Sequence, residues 1–120
     1  MRFGMKEKEL ELILDVFRGF PRIEEVILFG SRAMGTFRYN SDIDLAIMGA
    51  RIDLPDVIGL KVKLEELPLP FMFDVVGLKN IANAALLEHI TKHGAVLYSR
   101  QAPVERVSDS GCKGYAVTDP

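Results

Sequence analysis

From Ser41 to Met48 the chain alternates without a break: Asp42, Asp44 and Ala46 fall on one side, Ile43, Leu45 and Ile47 on the other. Successive strand side chains point to opposite faces, so this period of two predicts a β-strand with one buried face. Its other face carries two aspartates. Any fold for this chain must bury the isoleucine side and still give those two acids an environment they tolerate.

The flanking segments supply the partners for such a strand. Leu10, Ile13, Leu14 and Phe17 recur at helical spacing and predict a helix over about 6–18, stopped by Gly19 and Pro21. Val26-Ile27-Leu28-Phe29 reads as a short buried strand that ends at Gly30-Ser31. Gly35 closes a turn or short helical piece, and 36–41 reads as a loop. A helix is expected over about 55–67, with Pro55 in its first turn and Val57, Leu60, Leu64 and Leu67 as one stripe. Ile58 and Val62 lie off that stripe, either covered by a second packing face or left as an exposed apolar pair of the kind that marks an interface. Pro68 and Pro70 break the chain before a third strand, Phe71 to Val76, that contains Asp74. A last helix over about 80–92 ends near Gly94, and Ala95 to Tyr98 suits a final short strand. Helix–strand–strand–helix–strand–helix implies an α/β or α+β domain with a short mixed sheet flanked by helices.

With 120 residues the chain has room for one domain, expected over 1–99. From about residue 100, Ser, Gly, Pro, Asp and Lys replace any apolar period, and 100–120 reads as a disordered tail holding the single cysteine, Cys112. One cysteine permits no internal disulfide, and no leader peptide is evident, so a reducing cytoplasm is the expected location. No apolar run is long enough to span a membrane. The formal net charge is −2, which is not the basic signature of a duplex nucleic-acid binder.

The chemistry gathers at two places. Phe29-Gly30-Ser31-Arg32-Ala33 follows a strand, and a glycine there lets backbone approach a ligand closely. The following amides and the Ser31 hydroxyl can face a phosphate, and Arg32 can add charge. The same residues also suit a plain turn with Ser31 as a helix N-cap. A Walker loop is excluded because no Gly-Lys-Ser/Thr follows, and the glycines do not match the dinucleotide fingerprint.

Asp42 and Asp44 sit two apart on their strand, roughly 7 Å apart at the backbone, and point the same way. Two like charges on a strand are unfavourable, and a bound cation would offset this. Mg²⁺ takes oxygen ligands and shares its shell with phosphates, and a pair of ions can clamp the attacking and leaving oxygens of phosphoryl transfer. Solvated faces are common, so two water-facing aspartates are the plainer alternative. Asp74 lies in an otherwise apolar strand and needs a partner, a cation or a backbone hydrogen bond. If its strand lies beside that of Asp42 and Asp44, three acids converge, and one can act as general base toward a hydroxyl. His89 and His93, four apart on a helix, lack a third ligand nearby and read as a solvated helix end. Tyr39 can stack on a base or serve a blander loop role.

As a unit, Leu28-Phe29-Gly30-Ser31-Arg32-Ala33-Met34-Gly35 through Ser41-Asp42-Ile43-Asp44-Leu45 resembles the minimal nucleotidyltransferase (MNT) domains of the DNA polymerase β superfamily. The likeness covers roughly residues 5 to 99, and Asp42 follows Ser31 by eleven positions, close to the family spacing. It implies a polymerase β-type nucleotidyltransferase fold, α+β in class. It implies that Gly30, Ser31, Arg32 and Ser41 bind the nucleotide. It implies that Asp42, Asp44 and Asp74 are the catalytic acids and hold Mg²⁺, with two ions expected and Asp74 as base. Where many members carry Arg or Lys before the second glycine this chain has Met34, so Arg32 or Arg38 would supply that charge.

The activity implied is transfer of AMP from ATP to a hydroxyl, with pyrophosphate released. Similar chains are commonly encoded beside a helical HEPN protein as toxin–antitoxin pairs, and some adenylylate a tyrosine on that partner. The resemblance therefore implies a HEPN toxin as partner and acceptor. Its alternatives are an antitoxin that acts by contact alone, and a small-molecule nucleotidyltransferase with a separate substrate-binding subunit.

Overall fold

The computed structural model describes residues 2–100. The expected tail from Gln101, with Cys112, lies outside the described residues. The order is α1 (Glu7–Arg18), β1 (Glu25–Phe29), α2 (Ser31–Met34), β2 (Ile43–Met48), α3 (Leu54–Glu65) and β3 (Phe73–Gly77). A 3-10 turn (Leu78–Asn80), α4 (Ala84–His93) and β4 (Ala95–Ser99) complete it.

The four strands form one mixed sheet in the order β3-β2-β1-β4. β1 pairs antiparallel with both β2 and β4, and β2 pairs parallel with β3 across the α3 crossover. This is the α+β arrangement expected, a short mixed sheet flanked by helices.

Local chemistry explains the element ends. Glu9 accepts a hydrogen bond from the Lys6 amide at 2.8 Å and so satisfies a donor at the start of α1. Asp56 does the same for the Asp53 amide, 3.1 Å away, at the start of α3. Asn83 caps α4 by accepting from the Leu86 amide. That cap sets the beginning of α4 at Ala84, later than the apolar pattern suggests, because Leu78–Asn80 turns separately as a 3-10 piece. Gly94 ends the helix, and there a Cβ would come within 2.4 Å of the Ile90 carbonyl oxygen.

The larger core lies on one face of the sheet. Leu10, Ile13 and Phe17 of α1 and Val57, Leu60 and Leu64 of α3 pack there against Ile43, Leu45 and Ile47. A smaller cluster of Phe29, Ala46 and Ile90 seats α4 on the opposite face. Strand β2 is therefore buried on both faces, with Ala46 fully covered, where alternation alone predicts one buried face. Toward the beginning of the strand that second face is less covered, with Asp44 half-buried and Asp42 exposed. On the outer side of α3, Leu54, Ile58 and Val62 are exposed, so Ile58 and Val62 are not covered by a second packing face within the described residues. No helix among the described residues is long and apolar enough to cross a membrane.

Candidate active site

The sheet register assembles the acids. Asp44 of β2 is the cross-strand partner of Phe29, the last residue of β1, and of Asp74 on β3. In-register neighbours project from the same face, and Asp42 shares that face because it precedes Asp44 by two. Parallel pairing begins beside Asp42, where the Ile43 amide donates to the Met72 carbonyl at 2.9 Å. The three positions thus meet on the α4 side of the sheet, at the end of β1 where the chain leaves the sheet.

Their environments differ. Asp42 and Asp74 are exposed and Asp44 is half-buried. Burial pushes the Asp44 pKa above its ordinary value, and the neighbouring charges of Asp74 and then Asp42 push it the same way. Arg32 and His89 oppose the shift only in part. Among the described residues the ion pairs are made by Arg18, Arg22, Lys63 and Lys92, and none involves these acids. Nor are any three His, Cys, Asp or Glu side chains among the described residues placed so that they could together hold a metal ion. Like charges with no cation between them repel, so an open arrangement is what electrostatics favours here. The donor set is all oxygen, which is the kind that Mg²⁺ takes.

Gly30 lies directly beneath Asp44. Its φ of 76° and ψ of −154° are open only to glycine. A Cβ on Gly30 would stand 2.2 Å from Asp44 Oδ2, so this glycine is the bed on which the carboxylate rests. The Gly30 amide donates to His89 Nε2 at 3.1 Å. Ser31 then opens α2 as its first residue, and Gly30 is the N-cap, so Ser31 does not cap the helix. The opening amides of α2 have no carbonyl behind them within the helix. Gly35, at φ 80°, ends α2 in the left-handed region.

Arg32 is placed otherwise than its expected contact with the nucleotide requires. It is 1 % exposed. Its Nη1 donates to the Phe3 carbonyl at 2.7 Å, its Nη2 to the Tyr39 and Ser41 carbonyls at 2.7 and 2.8 Å, and its Nε to Ser41 at 3.2 Å. The guanidinium also lies over the rings of Phe71 and Phe37, 4.9 and 5.4 Å from their centroids. Burial lowers its pKa from the ordinary arginine value, against the opposing pull of Glu9 first and then Tyr39, Asp42 and Asp44. Arg32 therefore ties the N-terminal turn to the loop that delivers Asp42. Arg38, on the same loop, is exposed and makes no ion pair among the described residues. Met34 is exposed.

Ser41 is engaged in that loop, where its Oγ accepts from the Arg38 amide at 2.8 Å and keeps its own hydroxyl donor. Tyr39 donates its hydroxyl to Glu9 at 2.6 Å and sets its ring edge on Phe71, so it serves the loop. His89 is the residue that sequence reasoning missed at the site. The missed signal was phase: His89 falls on the same helical stripe as Leu86 and Ile90, whereas His93, one turn on, is exposed as expected of a solvated helix end.

The fold has counterparts among known proteins. The family model described as Polymerase beta, Nucleotidyltransferase matches residues 11–103. Among solved structures, a chain from a toxin–antitoxin complex with AMP-PNP is 30 % identical, with a TM-score of 0.63 over 78 % of this chain and 76 % of that one. A chain from the complex of a tri-AMPylated Shewanella oneidensis HEPN toxin with an MNT antitoxin is 26 % identical, with a TM-score of 0.60 over 82 % and 76 %. A chain from an MntA-HepT toxin–antitoxin complex is likewise 26 % identical, with a TM-score of 0.59 over 82 % and 76 %. A comparison with curated proteins finds no significant match. By the family model, which spans most of its length, the chain belongs to the polymerase β nucleotidyltransferase family.

Proposed function

We propose that this chain is the antitoxin of a toxin–antitoxin pair, and that it transfers AMP from ATP to a tyrosine hydroxyl of a HEPN-type toxin. The observation that carries this reading is the cross-strand alignment of Asp44 with Asp74 beside the Gly30-Ser31 turn, with Asp42 on the same face. Structural neighbours that are toxin–antitoxin complexes, one with AMP-PNP and one with an AMPylated HEPN toxin, support the choice of donor and partner.

The residues divide the work by position. Asp42 and Asp44 would hold Mg²⁺, with Asp74 completing the set. When bound, the metal supplies positive charge against the phosphates and against the charge that builds up during transfer. The opening amides of α2 and the Ser31 hydroxyl take the phosphate oxygens, and Gly30 allows their close approach. The tyrosine oxygen attacks the α-phosphorus of ATP, the bond to the bridging oxygen breaks, and pyrophosphate leaves. Asp74, exposed at the edge of the site, accepts the hydroxyl proton.

The test is incorporation of labelled AMP into the co-expressed HEPN partner in the presence of Mg²⁺. Labelling is expected with the native chain and lost with Asp42→Asn or Asp44→Asn. Persistent labelling with both variants refutes the assignment of the acids. A reading in which the chain neutralises its partner by contact alone draws on the exposed apolar side of α3 at Leu54, Ile58 and Val62. That reading predicts that the Asp42/Asp44 double variant still protects cells from the toxin.

A further inference from the structure

The link between His89 and Gly30 joins residues 59 positions apart and is part-buried. Gly30 follows Phe29, the last residue of β1 to pair with β2. Its amide therefore points away from the ladder and needs another acceptor, and His89 Nε2 supplies one. To accept, Nε2 must carry its lone pair, so in this arrangement the ring proton sits on Nδ1. The ring is held from a second direction by edge-on contact with Phe29, at 6.3 Å between centroids and 77° between planes. The packing of Ile90 with Phe29 and Ala46 fixes the helix that carries it.

Gly30 is thus clamped between two elements. The Asp44 carboxylate fills the space above its Cα, and the imidazole holds its amide. The held peptide is that between Phe29 and Gly30, one peptide unit before the one that carries the Ser31 amide. Rotating it would turn the Ser31 amide and hydroxyl away from their present direction.

We infer that His89 is a positioning residue for the nucleotide donor: by accepting the Gly30 amide it sets the angle at which the Gly30-Ser31 turn meets the triphosphate. The nucleotide half of this inference rests on the proposed transfer reaction. The structural half, the His89–Gly30 bond, is readable without it.

The experiment uses the full chain, labelled with ¹⁵N, and MgATP as probe. In the native protein the His89 Nε2 resonance is expected to be that of an unprotonated, hydrogen-bonded nitrogen; a proton on Nε2 overturns the inference. His89→Phe keeps a ring against Phe29 and removes the acceptor, whereas His89→Gln keeps an acceptor. His89→Phe is expected to shift the Gly30 amide resonance, speed its exchange, and weaken MgATP binding by calorimetry about 5- to 10-fold, the worth of one hydrogen bond. His89→Gln is expected to recover most of that loss. In the transfer assay the same variants should raise KM for ATP with little change in kcat. Binding equal to the native chain in His89→Phe, or an unmoved Gly30 amide, overturns the positioning role even when transfer is confirmed. A native chain that binds MgATP but labels no partner refutes the proposed acceptor and leaves the role of His89 standing. Failure of the native chain to bind MgATP overturns both.

Discussion

Asp44 Oδ2 occupies the space that a Cβ at Gly30 would need, 2.2 Å from the position that atom would take. The glycine demanded by the phosphate turn is therefore also the glycine demanded by the acid. Gly30→Ala meets both this overlap and a backbone conformation closed to alanine. It should destabilise the fold by about 1–3 kcal/mol and abolish AMP transfer. Urea denaturation checks the first and AMP labelling the second; an unchanged midpoint would show that Asp44 moves aside at no cost.

Asp44 also carries a penalty of its own. Burial first, then Asp74 and Asp42, raise its pKa in the folded chain. A folded pKa above the unfolded value means that ionised Asp44 costs stability at neutral pH, and that this cost fades as pH falls through the folded pKa. Asp44→Asn should therefore raise the melting temperature of the metal-free protein at pH 7, by about 2–4 °C, while abolishing transfer. Its advantage over the native chain should shrink on acidification. An advantage that grows toward low pH would contradict the sign.

Mg²⁺ should reverse that order. A cation held by Asp42, Asp44 and Asp74 relieves their repulsion and binds only the folded state. At a hundredfold excess over its Kd it should add about 2.7 kcal/mol of stability. Thermal melts with Mg²⁺ and with chelator should separate for the native chain and coincide for the Asp42→Asn/Asp44→Asn double variant. Coincident melts for the native chain would mean that the acids hold no metal without nucleotide.

Arg32 should behave as a structural residue. Its removal leaves the Phe3, Tyr39 and Ser41 carbonyls without their donors. Arg32→Ala should cost about 2–4 kcal/mol, and Arg32→Lys should recover little because an ammonium lacks the planar fork. Denaturant midpoints measure this directly. A near-native midpoint for Arg32→Lys, with a raised KM for ATP, would restore the phosphate role that the motif suggests.

Asn83 accepts from the Leu86 amide at 3.0 Å and starts the helix that carries His89. Asn83→Ala should cost about 1 kcal/mol. Faster hydrogen exchange is expected along the first turn of α4 and at the Gly30 amide, because α4 presents the acceptor. Exchange confined to the first turn would show that Ile90 alone keeps α4 in place.

Much of this site was legible in the chain itself. The alternation from Ser41 to Met48 determined a strand with Asp42 and Asp44 on one face, because side-chain direction in a strand depends only on position along it. Gly30 and Gly35 marked the two ends of α2, because left-handed and extended positive-φ backbone is a local property of glycine. The stripe of Val57, Leu60 and Leu64 likewise declared the buried side of α3. What tertiary structure decided were pairings between distant segments. The register that puts Asp74 beside Asp44 depends on how the α3 crossover closes, and no local pattern encodes it. The second buried face of β2 appeared only once α4 folded back across the sheet. Arg32 and His89 changed meaning most. A charged residue after Gly-Ser and a histidine near a helix end each suggest exposure, yet the folded chain surrounds one with carbonyls and turns the other onto a backbone amide. Hydrogen-bond partners of a buried polar group are chosen by what the fold brings within about 3 Å, and that distance is set only when the whole sheet and its helices have closed.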